Sequence, residues 1–177
     1  MFIDLLRKRR SIRSFDPRPV EGEKVDLLIE ALLRSPTSKG RHPWEFILIT
    51  DPDMTDILAT AKSKGGFFLA GAPLCVVICG DPSISDVWIE DCAVAATMLQ
   101  LAAEDLGLGS CWSQIRRRQH ESGVPSTKML RRHLHLPENL EVASIIGVGY
   151  PDCGVSPRCQ DPLPAHKVHR NTYHKNT

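Results

Sequence analysis

The chain has 177 residues, a formal net charge of +1, 42% hydrophobic residues and 24% charged ones. That length is enough for one domain with a core of its own, and so small a charge gives no general affinity for nucleic acid or an anionic membrane. No stretch reaches the roughly 20 apolar residues of a membrane span, and Met1-Phe2-Ile3-Asp4 lacks a secretion signal's apolar core, so a cytoplasmic protein is expected.

Residues 2–10 read as a short helix with Phe2, Leu5 and Leu6 on one side and a basic end. Asp16-Pro17-Arg18-Pro19 is a rigid connector to an amphipathic helix over 22–34, where Val25, Leu28, Ile29 and Leu32 recur at helical spacing. A small-residue turn at 35–43 leads into a strand over 44–50, closed by Asp51-Pro52. Asp53 with Asp56 marks a helix start, and that helix runs to about Lys64 before Gly65-Gly66. Residues 73–80 are continuously apolar and β-branched, the pattern of a central strand buried on both faces. The longest helix spans 85–106 and has almost no polar face through its middle, so burial all round is expected, in a core or against a partner chain. Gly107-Leu108-Gly109 ends it before a short strand at 110–115. A helix over 126–134 takes Ser126 as N-cap, a last strand covers 141–149, and the proline-rich tail is irregular. Helices outnumber strands, which favours an α/β or α+β layered sheet.

Six cysteines (75, 79, 92, 111, 153 and 159) include no paired C-x-x-C, so reduced, mostly buried thiols are expected. His166, His169 and His174 with Cys153 and Cys159 could suggest a metal, but their spacing is irregular and none is assigned. Arg116-Arg117-Arg118 and Arg131-Arg132 have no aromatic platform interleaved, which argues against nucleic acid. Cys111, Trp88 and Trp112 read as packing residues.

Two segments invite chemistry. In Arg9-Arg10-Ser11-Ile12-Arg13-Ser14-Phe15, a continuing helix would project Arg9 and Arg13 from one face with the Ser11 hydroxyl at the same level. Guanidinium forks match phosphate oxygens, so this is a competent phosphate clamp. A solvated charge run at a helix C-terminus is the competing reading. In Ser35-Pro36-Thr37-Ser38-Lys39-Gly40-Arg41-His42-Pro43-Trp44-Glu45-Phe46, a turn offers backbone N–H groups to a flat ligand, or is simply a helix exit. One ligand with a phosphate and a planar ring would use both. There is no G-x-G-x-x-G, P-loop lysine motif or nucleophile elbow.

These two segments, with Ala102-Ala103-Glu104-Asp105-Leu106-Gly107-Leu108-Gly109-Ser110-Cys111-Trp112 and Ile146-Gly147-Val148-Gly149-Tyr150-Pro151, keep their order and spacing over residues 3–151. In them the chain resembles the nitroreductase family of flavin-dependent oxidoreductases. The resemblance implies an α+β nitroreductase-like three-layer sandwich, with a central mixed sheet flanked by helices, in residues 1–151. The tail, 152–177, would pack on this domain or on a partner subunit. It also implies a homodimer with FMN at two interface sites. Arg9, Ser11 and Arg13 match the segment holding the flavin's phosphate, ribityl chain and pyrimidine edge, and Arg10 lies in the same motif. Pro36, Thr37 and Ser38 match the turn beside the isoalloxazine, supplied across the dimer. Gly109 and Ser110 match the segment passing the ring, with a backbone N–H near N5. Arg158, or failing it Lys167, would complete the phosphate site. NADH or NADPH would pass hydride to N5, and small electrophiles such as nitro compounds and quinones would take it in a ping-pong cycle. No catalytic acid or base residue is required.

Two residues depart from the family pattern: Gly40 stands where Asn is common, removing one polar contact, and His42 replaces a frequent Gln. The link from Gly80 to Ser85 is short where longer members insert covering helices, which implies a shallow, exposed flavin face and loose substrate choice. A flavin-binding protein without turnover is the alternative, and a relative that fragments or dehalogenates one substrate is a further one. On this reading Arg116-Arg117-Arg118 with Arg131-Arg132 form a solvated face or a patch that attracts the NADPH phosphate.

Overall fold

The computed structural model describes residues 1–152 and 162–173. Its centre is β2 (Leu74–Gly80), buried at every residue. Leu74, Val76 and Ile78 face one core while Cys75, Val77 and Cys79 face the other, the period-two alternation of a strand covered on both sides. β1 (Trp44–Ile49), β2, β4 (Glu141–Gly149) and β3 (Gly109–Gln114) lie in the order β1-β2-β4-β3. Every pair of these strands is antiparallel. The parallel component expected of a mixed sheet is the single bridge between Ser11 and Ser110.

Helices cover both faces, giving three layers. On one face α2 (Gly22–Leu33) and α4 (Trp88–Asp105) bury Leu28, Leu32, Cys92, Ala95 and Leu99 against Val76, Ile78 and Ile146. On the other, α3 (Pro52–Thr60), α5 (Ser126–His133) and a 3-10 turn at Phe67–Gly71 bury Leu58, Leu130 and Leu69 against Val77, Val142 and Ile145. Each such aliphatic side chain contributes roughly 1.5–3 kcal/mol by leaving water. Among the described residues no helix is long and apolar enough to cross a membrane. Cys75, Cys79, Cys92 and Cys111 are free and buried, and burial pushes the first three thiols up to about 12.

Several elements differ from expectation for physical reasons. α1 is Phe2–Lys8, shorter than 2–10, because Arg9 turns extended (φ −51, ψ 129) and Ile12 N–H donates to Ser110 O at 3.0 Å instead of continuing a helix. α3 starts two residues earlier than Asp53-Asp56 implied: Asp51 caps it by accepting from Asp53 N–H, with Pro52 at the first helical position. Asp51→Ala should therefore cost about 1 kcal/mol, more than Asp53→Ala, in urea denaturation; the reverse order would restore Asp53 as the start signal. Ser126 is the first residue of α5, not its cap, and its buried hydroxyl has no partner. α4 begins at Trp88 because 81–87 is a tight loop. There the Asp81 carboxylate accepts Ser83 N–H (2.8 Å), Ser83 O–H (2.6 Å) and Asn139 Nδ2–H (2.5 Å). Within one chain α4 is buried on one side only, since Glu90, Thr97 and Met98 are exposed.

Candidate functional site

Residues 9–15 leave α1 extended and dock at the start of β3, through Ser11 and Ile12 at Ser110, and just past the end of β4, through Phe15 at Pro151. Ile12 and Phe15 are buried and anchor the segment, while Phe15 bridges Pro151 and Asp152 N–H donates to Ser14 O (3.1 Å). Arg9, Ser11 and Arg13 all bear on Cys111, an arrangement set by extended backbone docked at Ser110 rather than by helical spacing. The helical spacing expected for Arg9 and Arg13 is absent, since the helix ends at Lys8.

Cys111 lies beneath this segment. Burial raises its thiol pKa, opposed by the charge of Arg13, a hydrogen bond with Ser11, and the charges of Lys62 and Arg9. The charges of Arg13, Lys62 and Arg9 thus all bear on one buried thiol, to which Ser11 is hydrogen-bonded. Lys62 was not singled out in the sequence; it arrives from the end of α3. Burial lowers its pKa, as does the charge of Arg118, while Cys111 opposes the shift. Ser63 N–H donates to Gln119 O (3.0 Å), fixing the end of α3 beside the loop that follows β3. Such a cluster is electrostatically costly unless an anion occupies it, and a phosphate ester with its several acceptor oxygens suits these donors.

Gly109 and Ser110 sit directly against this segment. Ser110 is 3% exposed and accepts from Ile12 N–H. Gly109 is set by close approach: a Cβ there would lie 2.7 Å from Ile12 Cγ1 and 2.8 Å from Ile12 Cβ. Any side chain would push the basic segment off β3.

The turn containing Pro36, Thr37 and Ser38 is built elsewhere. Ser38 N–H donates to Asp91 Oδ1 (2.8 Å) in the first turn of α4, and His42 N–H donates to Thr37 Oγ1 (3.1 Å). Asp91 is 5% exposed and also accepts weakly from Ser85 O–H (3.4 Å). Lys39, Gly40 and His42 have φ of 54, 65 and 49, so the glycine answers a left-handed backbone. His42 packs edge-on against Trp44 (5.1 Å), which stacks on Phe46 (4.9 Å), a packing role for all three.

Of the remaining sequence-predicted groups, Arg158, Cys153, Cys159 and His174 lie outside the described residues. Lys167 is exposed in a short turn at Ala165–Lys167. The basic runs disperse: Arg116 lies over Trp88 (5.9 Å), Arg118 faces Lys62, and Arg131 is held by Glu141 Oε1 (2.8 Å) and Leu140 O (2.7 Å).

The sequence profile of the nitroreductase family matches residues 6–65 and 54–150. A protein of Archaeoglobus fulgidus, provisionally named NADH dehydrogenase/NAD(P)H nitroreductase, is 33% identical over 153 residues, 84% of each chain. The structure of an FMN-dependent nitroreductase from Clostridium difficile R20291 superposes with a TM-score of 0.94 at 42% identity, covering 97% of this chain and 99% of that one. The NADPH:FMN oxidoreductase of Vibrio harveyi, solved with NAD+, matches with a TM-score of 0.80 at 25% identity, over 99% of this chain and 79% of its own.

Proposed function

The chain belongs to the nitroreductase family, and from that premise we propose that it is an FMN-dependent oxidoreductase that uses NAD(P)H to reduce small electrophiles such as nitro compounds and quinones. The observation that carries this reading is the docking of the basic segment on β3, where the Ile12 N–H to Ser110 O bond and the close approach of Ile12 to Gly109 set Arg9, Ser11 and Arg13 beside Gly109-Ser110. The donor set fits FMN: guanidinium and ammonium groups for a phosphate dianion, and the backbone of Gly109-Ser110 for the flat ring. When bound, FMN supplies hydride acceptance and donation, the chemistry no side chain here offers. The protein's share is to anchor the phosphate, present the ring edge to backbone, and leave one face open for reductant and acceptor in turn. The 81–87 link carries no helix, which supports an uncovered ring face and broad acceptor choice.

A second copy of the chain is part of the proposal, and α4 supplies the measure. The 36–38 turn is pinned to Asp91, whereas Arg9 lies close enough to act on Glu104. Thirteen residues of helix separate those points, about 20 Å at ~1.5 Å per residue. Gly109 follows the far end of α4, so the turn cannot reach a ring lying on Gly109-Ser110 of its own chain. A homodimer brings the partner's turn there instead. Apolar side chains exposed on one chain fit such an interface: Phe2 is 61% exposed, Leu6 47%, Leu27 48% and Met98 38%.

The test is the visible spectrum of freshly purified protein, the mass of the released chromophore, and the native mass. About one FMN per chain, a dimer, and steady NAD(P)H oxidation with an added quinone are expected. FMN without turnover would make the protein a flavin store, and no uptake of added FMN would end the reading.

A further inference from the structure

A cavity of about 430 Å³ lies between the 120–124 loop and α5, outside the cradle just described. Its polar wall is His120, Ser122, Lys128, Arg132 and His133, and Val124 and Met129 form its apolar part. None of the lining residues is acidic; the nearest acid in sequence, Glu121, is not among them. Arg131 and Arg132 are neighbours with separate fates. Arg131 is spent on Glu141 and on backbone carbonyls, while Arg132 is exposed in the cavity wall. Lys128 and Arg132 are four residues apart and so share one face of α5, a like-charge spacing that disfavours the helix unless an anion lies between them. His120 Nδ1 accepts Ser122 N–H (3.1 Å), which leaves its proton on Nε2 as a further donor. The loop forming this wall is joined to the end of α3, next to Lys62, through the bond from Ser63 N–H to Gln119 O (3.0 Å).

We propose that this cavity takes the phosphorylated adenosine end of the reductant, so that the enzyme selects NADPH over NADH by the 2′-phosphate. A phosphomonoester carries about −1.5 to −2 charge at neutral pH and three acceptor oxygens, which Lys128, Arg132 and the histidines can share. Val124 and Met129 offer apolar surface to the adenine. NADH has no group for these cations. The inference rests on the oxidoreductase reading and names the reductant it uses.

The experiment pairs steady-state kinetics of the FMN-loaded protein with calorimetric titration. Wild type should use NADPH at least 10-fold better than NADH in kcat/KM. Adenosine 2′,5′-bisphosphate should bind at least 10-fold more tightly than 5′-AMP or inorganic phosphate and compete with NADPH. Lys128→Ala/Arg132→Ala, both exposed positions, should raise KM for NADPH about 10-fold or more, with kcat and the NADH parameters changed less than two-fold. Equal use of the two reductants, or an unchanged KM for NADPH in the double variant, would overturn the proposal while leaving the flavin reading intact. Conversely, bisphosphate binding in a protein that oxidises neither nucleotide would retain an anion groove and reject its role in reductant choice.

Discussion

Arg9→Ala/Arg13→Ala should lower FMN affinity by about 3 kcal/mol or more, at least roughly 100-fold, with little change in folding. Each lost hydrogen bond to a charged group is worth about 1.5–3 kcal/mol, and two neighbours on one phosphate need not add fully. The fold should tolerate the change because the segment is held by Ile12, Phe15 and backbone bonds to Ser110 and Tyr150 rather than by its guanidinium groups. Fluorescence titration of deflavinated protein measures the affinity, and thermal unfolding of the same samples measures the fold. Arg10→Ala is the internal comparison: it lies in the same run of charge but does not bear on Cys111 as Arg9 and Arg13 do, so its effect should be well below that of either neighbour. Equal losses from all three single variants would mean that net charge alone, and no built cradle, attracts the flavin. Added salt should weaken wild-type binding more than that of the double variant, since the removed charges carry the screened part of the attraction.

How far the sequence could lead depended on whether a feature was local. β2 was legible because a strand buried on both faces is apolar without interruption, β4 because its β-branched residues outweigh Glu141 and the buried Ser144, and α2 because its apolar stripe recurs at helical spacing. The basic segment was legible in composition but not in conformation. Nothing within residues 2–10 says that the helix stops at Lys8; the reason lies a hundred residues on, where Ser110 takes the Ile12 N–H. Lys62 and Arg118 could not be found as site residues, since only tertiary packing brings the end of α3 beside β3 and the loop after it. A signal did exist for Lys62, a lysine just before Gly65-Gly66 at a helix end, but such lysines are common C-terminal residues of helices. Asp91 was hidden differently. Nothing local marks this one acid of an apolar helix, because its bond to Ser38 N–H depends on the turn after α2 reaching α4.

Gly109→Ala should be the most damaging single methyl group near the site. Its Cβ would stand 2.7 Å from Ile12 Cγ1, 2.8 Å from Ile12 Cβ and 3.0 Å from Ile12 Cγ2. Real side chains do not approach so closely, so something must move. The Ile12 Cβ is fixed to its backbone and cannot rotate away, so the 9–13 segment has to retreat from β3. The overpacking should cost about 1–3 kcal/mol of stability, read from the urea midpoint. The larger effect should fall on the cofactor. Arg9, Ser11 and Arg13 ride on the displaced segment, and the Ile12–Ser110 bond that fixes their height lengthens, so FMN affinity should drop by more than the stability loss implies. Ile12→Ala in the same chain removes both Cγ atoms but leaves the 2.8 Å Cβ contact. Rescue should therefore be partial, recovering some stability and less FMN binding. Full recovery of both would show that the clash is confined to flexible side-chain atoms and that the cradle does not depend on the spacing of segment and strand. No loss in the single variant would place the segment farther from β3 than the Ile12–Ser110 bond requires.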